Sequence, residues 1–187
     1  MGICMVRYAD DFILIGKYIP KAIIDMVQEM LRRMGLRLNE EKSKLLDAHS
    51  QSFDFLGFTF GYCRSIRIPG TMYWNVVPSK KSLLRIQAKL RQLFATHRHY
   101  SINSLVKLLN PIIRGWKNYY TIPKVSYPSA AMKKLFYYLE HKLERFFRFK
   151  SQRRGKLYRR IGFAGIINRF GLINPASSTG SPLSVNG

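Results

Sequence analysis

The chain changes character at Pro78-Ser79, and that change limits the folds open to it. Before it lie short apolar and aromatic runs broken by turn residues; after it, apolar residues recur at spacings of three and four, and residues 79 to 134 contain neither Asp nor Glu. Alternation of period two belongs to strands and a period near 3.6 to helices, so an α+β chain is expected, with strands first and helices after. Helices without acids cannot neutralise their own cations. Over 187 residues the chain holds 32 Lys and Arg against 10 Asp and Glu, a net charge of +22. Such an excess opposes compaction until a polyanion offsets it. Nucleic acid is the leading partner, because Lys and Arg contacts to phosphate dominate its binding; an anionic membrane surface is the alternative on charge alone. Apolar residues make up 47% of the chain, enough for a folded core rather than a disordered segment. No run of about 18 apolar residues is present, so no membrane span is expected, and the N-terminus lacks the pattern of a signal peptide. The two cysteines, Cys4 and Cys63, fit a reducing compartment, cytoplasmic or organellar, better than a disulfide framework. Neither has the spaced partner of a zinc site. His97 and His99 read as a basic helix end rather than a metal pair.

Within the β-rich half, Ile3 to Arg7 and Phe12 to Gly16 flank Tyr8-Ala9-Asp10-Asp11, which predicts a hairpin with the two acids at its tip. Adjacent carboxylates repel unless a positive charge lies between them. A hard divalent cation such as Mg²⁺, bound by oxygen ligands and completed by water and phosphate, suits them; a solvated turn holding two acids is the plain alternative. Pro20 opens a helix over 21 to 34, with Ile23, Ile24, Val27, Met30, Leu31 and Met34 on a core-facing stripe and Gly35 as its stop. Leu36 to Asn39 alternates as a short strand does, and the charged Glu40-Glu41-Lys42-Ser43 follows. Phe53 to Phe60 is an aromatic β segment interrupted by Gly57, with Phe53, Phe55 and the Gly57 position on one face. Tyr62 to Val77 reads as a further hairpin turning at Pro69-Gly70.

In the helical half, Ser79 caps a helix of about 18 residues with Leu83, Ile86, Leu90, Leu93 and Phe94 on its apolar stripe and Lys81, Arg85 and Lys89 on another face. A second helix runs from Ser101 or Ile102 towards Tyr120, and Pro111 predicts a kink or a division into two helices. Its end, Arg114-Gly115-Trp116-Lys117-Asn118-Tyr119-Tyr120, sets flat aromatics beside cations, a combination suited to unpaired bases and phosphates. Arg114 and Lys117 are the RNA candidates and Trp116 is expected to be structural. A third helix spans 129 to 149. Residues 150 to 160, with Arg153 and Arg154, read as a basic, phosphate-binding or loosely ordered arm, and 174 to 187 as a disordered tail.

Taken in order, Arg-Tyr-Ala-Asp-Asp-Phe, Leu-Asn-Glu-Glu-Lys-Ser, Phe-Leu-Gly-Phe and Arg-Gly-Trp-Lys-Asn-Tyr-Tyr resemble the reverse transcriptase/maturase proteins encoded by group II introns. The resemblance runs from about Arg7 to about Lys150. It implies that residues 1–77 are the C-terminal part of a reverse-transcriptase palm, built of antiparallel hairpins and one helix. It makes 78–150 the helical maturase-specific thumb domain, leaving 151–187 as arm and tail. It implies that Asp10 and Asp11 are catalytic Mg²⁺ ligands, the first the firmer. Tyr8 and Ala9 would let the hairpin approach a primer end, Lys42 would brace the site or reach a phosphate, and Phe55, Leu56 and Gly57 would hold the primer strand. Lys81, Arg85, Lys89, Arg114, Lys117, Arg153 and Arg154 are the expected RNA contacts. Asp54 does not match the family's third catalytic acid, which stands in a palm and fingers region ahead of the hairpin.

Three functions follow as expectations. The favoured one is a maturase that binds group II intron RNA and assists splicing without itself doing chemistry. The second is an RNA-directed DNA polymerase acting on primer and template, active when an N-terminal fragment supplies the third Asp and inactive as this chain alone. The third is an inert retroelement remnant.

Overall fold

The computed structural model describes residues 2–39, 43–65, 68–150 and 152–177, with the side chains of residues 152–155 and 157 left out. The chain divides into two compact units, Met1–Leu46 and Asp47–Gly187.

The first unit is a hairpin and a helix. Strands β1 (Cys4–Tyr8) and β2 (Asp11–Ile15) pair antiparallel, with Tyr8 opposite Asp11 and Cys4 opposite Ile15. Helix α1 (Lys21–Arg33) begins after Pro20. It stops in a Schellman arrangement: the Leu36 amide donates to the Leu31 carbonyl (2.9 Å), the Gly35 amide to that of Arg32 (3.0 Å), and Gly35 takes φ 73°. The expected apolar stripe is present but not enclosed. No residue of α1 is buried, and Met30 and Met34, expected in the core, are 55% and 58% exposed. A two-stranded ribbon and one helix are too few layers to close a core. Leu36 to Asn39 forms no strand.

The second unit joins a three-stranded sheet to the helices. Strands β3 (Phe53–Phe55), β4 (Phe58–Arg64) and β5 (Met72–Pro78) pair antiparallel in the order β3-β4-β5. The division expected between residues 77 and 78 is therefore not a boundary between compact units: Phe58 and Val76 of the sheet share a buried cluster with Tyr120 and Met132 of the helices. Phe53 to Phe60 is a hairpin, not one interrupted strand; Leu56 and Gly57 form its loop, so Gly57 leaves the face it was expected to share.

Helix α2 (Lys80–Thr96) is capped by Ser79, whose Oγ accepts from the Ser82 amide (3.1 Å). Helix α3 (Ile102–Tyr120) contains Pro111 within one helix, not two. Proline in a helix interior costs about 3 kcal/mol or more, offset here by tight packing on both sides, where Leu109 and Ile113 are fully buried. Helix α4 (Ser129–Lys150) crosses the core with Leu135, Leu139 and Leu143 fully enclosed. Helix α5 (Gln152–Phe170) replaces the expected loose arm, broken at Gly162 (φ 60°, ψ −173°). It belongs to the fold because Tyr158, Phe163 and Ile166 enter the main core with Ile86, Leu90, Leu105 and Leu139. The start of the expected tail is also packed: Pro175 is buried, as is Leu172 just before the tail. No helix among the described residues is long and apolar enough to cross a membrane.

Candidate nucleic-acid interface

At the hairpin tip, Ala9 and Asp10 form the two-residue loop and Asp11 is the first residue of β2. Ala9 lies in the left-handed region (φ 51°), and its carbonyl accepts from Arg7 Nε at 2.9 Å, which holds the turn. Tyr8, Ala9, Asp10 and Asp11 are all exposed. Two carboxylates are donors of the right kind for a hard cation, yet an incomplete set. Among the described residues no three His, Cys, Asp or Glu gather in a group that could hold a metal. No catalytic step follows from this pair alone. Lys42 lies outside the described residues.

The Phe-Leu-Gly-Phe segment has a different setting. Both loop residues take left-handed backbone, Leu56 at φ 50° and Gly57 at φ 80°, as the tightest hairpin loops require. That loop is seated on the end of α3. The Tyr119 hydroxyl donates to the Leu56 carbonyl (2.9 Å), and the Gly57 carbonyl accepts from the Ser79 amide (2.8 Å). Behind it Ser82 Oγ donates to the Tyr120 hydroxyl (2.5 Å) and accepts from Trp116 Nε1 (3.2 Å). Phe55, Leu56 and Gly57 are thus fixed by the aromatic end of the second signature segment. Sequence order places the two motifs 60 residues apart and gives no sign that they touch.

Lys81, Arg85 and Lys89 project from α2 as exposed side chains at four-residue spacing, on the face flanking the buried Ser82, Ile86, Leu90 and Phe94. Arg114 is exposed on α3. Lys117, expected as an RNA contact, is turned inward rather than presented on the surface. It is buried, and its Nζ donates to the carbonyls of Asn174 (3.4 Å) and Ser177 (2.8 Å) and to Ser177 Oγ (3.0 Å). Burial holds its ammonium below the ordinary lysine range. The cause of this burial is the return of residues 171–177 across α3, clasped also by Asn110, whose side chain donates to the Gly171 carbonyl and accepts from the Ile173 amide (2.8 and 2.9 Å). The side chains of Arg153 and Arg154 lie outside those described; their backbone is helical in α5.

Residues 1–60 match the family described as reverse transcriptase (RNA-dependent DNA polymerase), and residues 83–162 match the group II intron, maturase-specific domain. The chain belongs to the group II intron reverse transcriptase/maturase family. Its reverse-transcriptase match covers the Asp10-Asp11 hairpin and ends inside β4; its maturase-specific match begins in α2 and ends at Gly162, where α5 breaks. An uncharacterized 91 kDa protein in cob intron of Schizosaccharomyces pombe is 26% identical over 136 residues, 62% of this maturase-family chain. The chain spans 17% of that relative's length. Two features escaped the sequence reading: the seating of the Leu56-Gly57 loop, and cations brought together from α2 and α4. Both depend on packing between elements distant in sequence.

Proposed function

We propose that the protein binds group II intron RNA through its helical unit and assists folding of the intron for splicing. The observation that carries this reading is the exposed row Lys81, Arg85 and Lys89 on a helix with no acid of its own, inside the region that matches the maturase-specific domain. Fixed by the neighbouring, buried face of α2, this row presents three cations along about 12 Å of helix, a length suited to successive phosphates. The test is a salt titration of binding to group II intron RNA. Affinity should fall steeply with salt, and the Lys81→Gln, Arg85→Gln, Lys89→Gln triple variant should flatten the log–log slope by roughly 2 to 3. A slope near zero for the unaltered protein rejects the reading.

A second reading concerns Asp10 and Asp11. We infer that they are two of the carboxylate ligands of a Mg²⁺ site in an RNA-directed DNA polymerase, completed by a third acid from a complementing N-terminal palm segment. What supports this is the reverse-transcriptase match over residues 1–60 together with the exposed Asp-Asp hairpin tip. Mg²⁺ held there would polarise a phosphoryl oxygen and lower the pKa of the attacking hydroxyl. This chain's part is to hold the two carboxylates at an exposed tip that a primer end can approach. Primer extension on an RNA template by the chain mixed with such a segment, abolished by Asp10→Asn, would support it; extension unaffected by that change would reject it. A reducing compartment, cytoplasmic or organellar, suits the free thiols of Cys4 and Cys63.

A further inference from the structure

Helices α2 and α4 lie against each other, tied where the Tyr138 hydroxyl donates to the Gln87 carbonyl at 2.8 Å. Their seam gathers cations that do not belong to the Lys81 row. Arg91 on α2 and Arg145 on α4 both act on Lys142: its ammonium is held below the ordinary range by burial first, then by Arg145, then by Arg91. The charges of two helices therefore converge within electrostatic reach of one another. The acids of α4 face elsewhere. Glu140 and Glu144 act on Tyr158 of α5, and Glu144 also reaches Arg148 at 4.0 Å. Aromatic rings line the same seam. Lys142 Nζ sits 5.5 Å from the Tyr138 ring centroid, and Arg98 Cζ sits 5.6 Å from that of Phe149, a ring left 71% exposed.

A cluster of like charges is a standing cost to the fold that a polyanion removes. Exposed rings beside such charges distinguish the form of that polyanion. A duplex keeps its bases stacked inside and offers phosphates, whereas a single strand also offers base faces to aromatic side chains. From Lys142 to Phe149 the α4 axis advances about 10 Å, roughly three stacked nucleotides at ~3.4 Å each.

We propose that the α2–α4 seam is a binding track for single-stranded RNA, with Arg91, Lys142 and Arg145 on successive phosphates and Phe149, backed by the Arg98 guanidinium, stacking on a base. This rests on the RNA-binding reading above and names the form of RNA that a second surface takes. Arg98 is held by the ring and not by a carboxylate in that contact, so its guanidinium edge stays available to phosphate.

The experiment compares a short fluorescent oligouridylate with an RNA duplex of equal length, titrated with the full chain over a range of salt. The Arg91→Gln, Lys142→Gln, Arg145→Gln triple variant should lower the salt slope for oligouridylate by about 2, three contacts at ~0.7 each. Phe149→Ala should weaken oligouridylate roughly tenfold, the scale of one lost base stack, and leave the duplex unchanged. Thermal melts matching the unaltered protein establish that the variants fold, and Arg98→Gln offers an exposed alternative expected to act in the same direction as Phe149→Ala. Unchanged oligouridylate slope in the triple variant overturns the proposal, as does an equal effect of Phe149→Ala on both RNAs. A seam that loses affinity for an acidic peptide but not for oligouridylate overturns it too. Either result with intron RNA still bound through the Lys81 row leaves the RNA-binding reading standing; failure of the unaltered chain to bind any RNA removes both.

Discussion

A β-carbon on Gly57 would lie 2.5 Å from the Tyr120 hydroxyl oxygen, so the loop between β3 and β4 meets the end of α3 at a distance that glycine permits and other residues do not. The Tyr119 hydroxyl, one residue earlier, holds the neighbouring Leu56 carbonyl. The sheet and the helical bundle are registered to each other at this point. Movement of the α3 end carries the hairpin loop with it.

Replacing Gly57 by Ala is expected to destabilise the second unit by about 1–3 kcal/mol, from the positive φ and the collision together. Tyr120→Phe removes the colliding oxygen; the next atom, Cζ, stands 3.6 Å away, which is ordinary contact. The double variant should therefore be more stable than the sum of the single changes predicts, with a coupling of about 0.5 kcal/mol or more. Denaturant melts of the four proteins check this, and strict additivity would show that the contact is not felt.

Lys117 gives the opposite result from its sequence neighbour Arg114. Lys117→Met should leave intron RNA affinity within about twofold and its salt slope unchanged, since a buried ammonium releases no counterion. The same change should raise hydrogen exchange at the Ile173 and Ala176 amides, because three donations to Asn174 and Ser177 are lost. Arg114→Gln should do the reverse, lowering the salt slope by about one contact and leaving those amides protected.

Alkaline stability should depend on Tyr158. Burial, then Glu140 and Glu144, push its hydroxyl up from 10.0 to about 12. The folded state thus keeps a proton that the unfolded chain gives up, so this contribution is complete below pH 10 and is lost as pH rises through 12. Lys117 acts with the opposite sign: burial lowers its pKa, so the penalty it imposes fades as pH rises towards the ordinary 10.5. Tyr158→Phe should flatten the fall in melting temperature between pH 10 and 12 relative to the unaltered protein. Parallel curves would show that Tyr158 titrates as an exposed phenol.

Asp10→Asn and Asp11→Asn should change stability by less than about 0.5 kcal/mol, as exposed substitutions do, because both acids stand at the hairpin tip. Thermal melts that coincide with the unaltered protein would make any loss of primer extension in the complemented system attributable to the carboxylates. A large destabilisation would mean that the pair is instead part of the local fold.

Local chemistry made several elements legible in the residues themselves. Pro20 and Gly35 bound α1, Ser79 caps α2, α3 starts at Ser101-Ile102, and the first hairpin turns within Tyr8-Ala9-Asp10-Asp11, its loop one residue earlier than the expected Asp-Asp tip, because caps, stops and turns act through neighbours a few residues away. The order of the motifs was legible in the same way and led to the family that residues 1–60 and 83–162 match. Misreadings arose where a partner distant in the chain decides. Residues 150 to 160 look like a basic, loosely ordered arm until Tyr158 is seen in the core, and Pro111 looks like a kink or a break until α3 is packed around it.

Lys117 marks the dividing line. Its sequence, a cation between Trp116 and two tyrosines, determined that an amine would stand near the end of α3, and the composition determined that this half of the chain carries positive charge without acids to balance it. Whether that amine meets RNA or main-chain carbonyls was decided by the path of residues 171–177. The same holds for Arg91 and Lys142, which are far apart in the chain and come within electrostatic reach because α2 and α4 bury a common core. Helical period and charge are local properties of the chain, whereas burial and the convergence of charges exist only once the elements are packed.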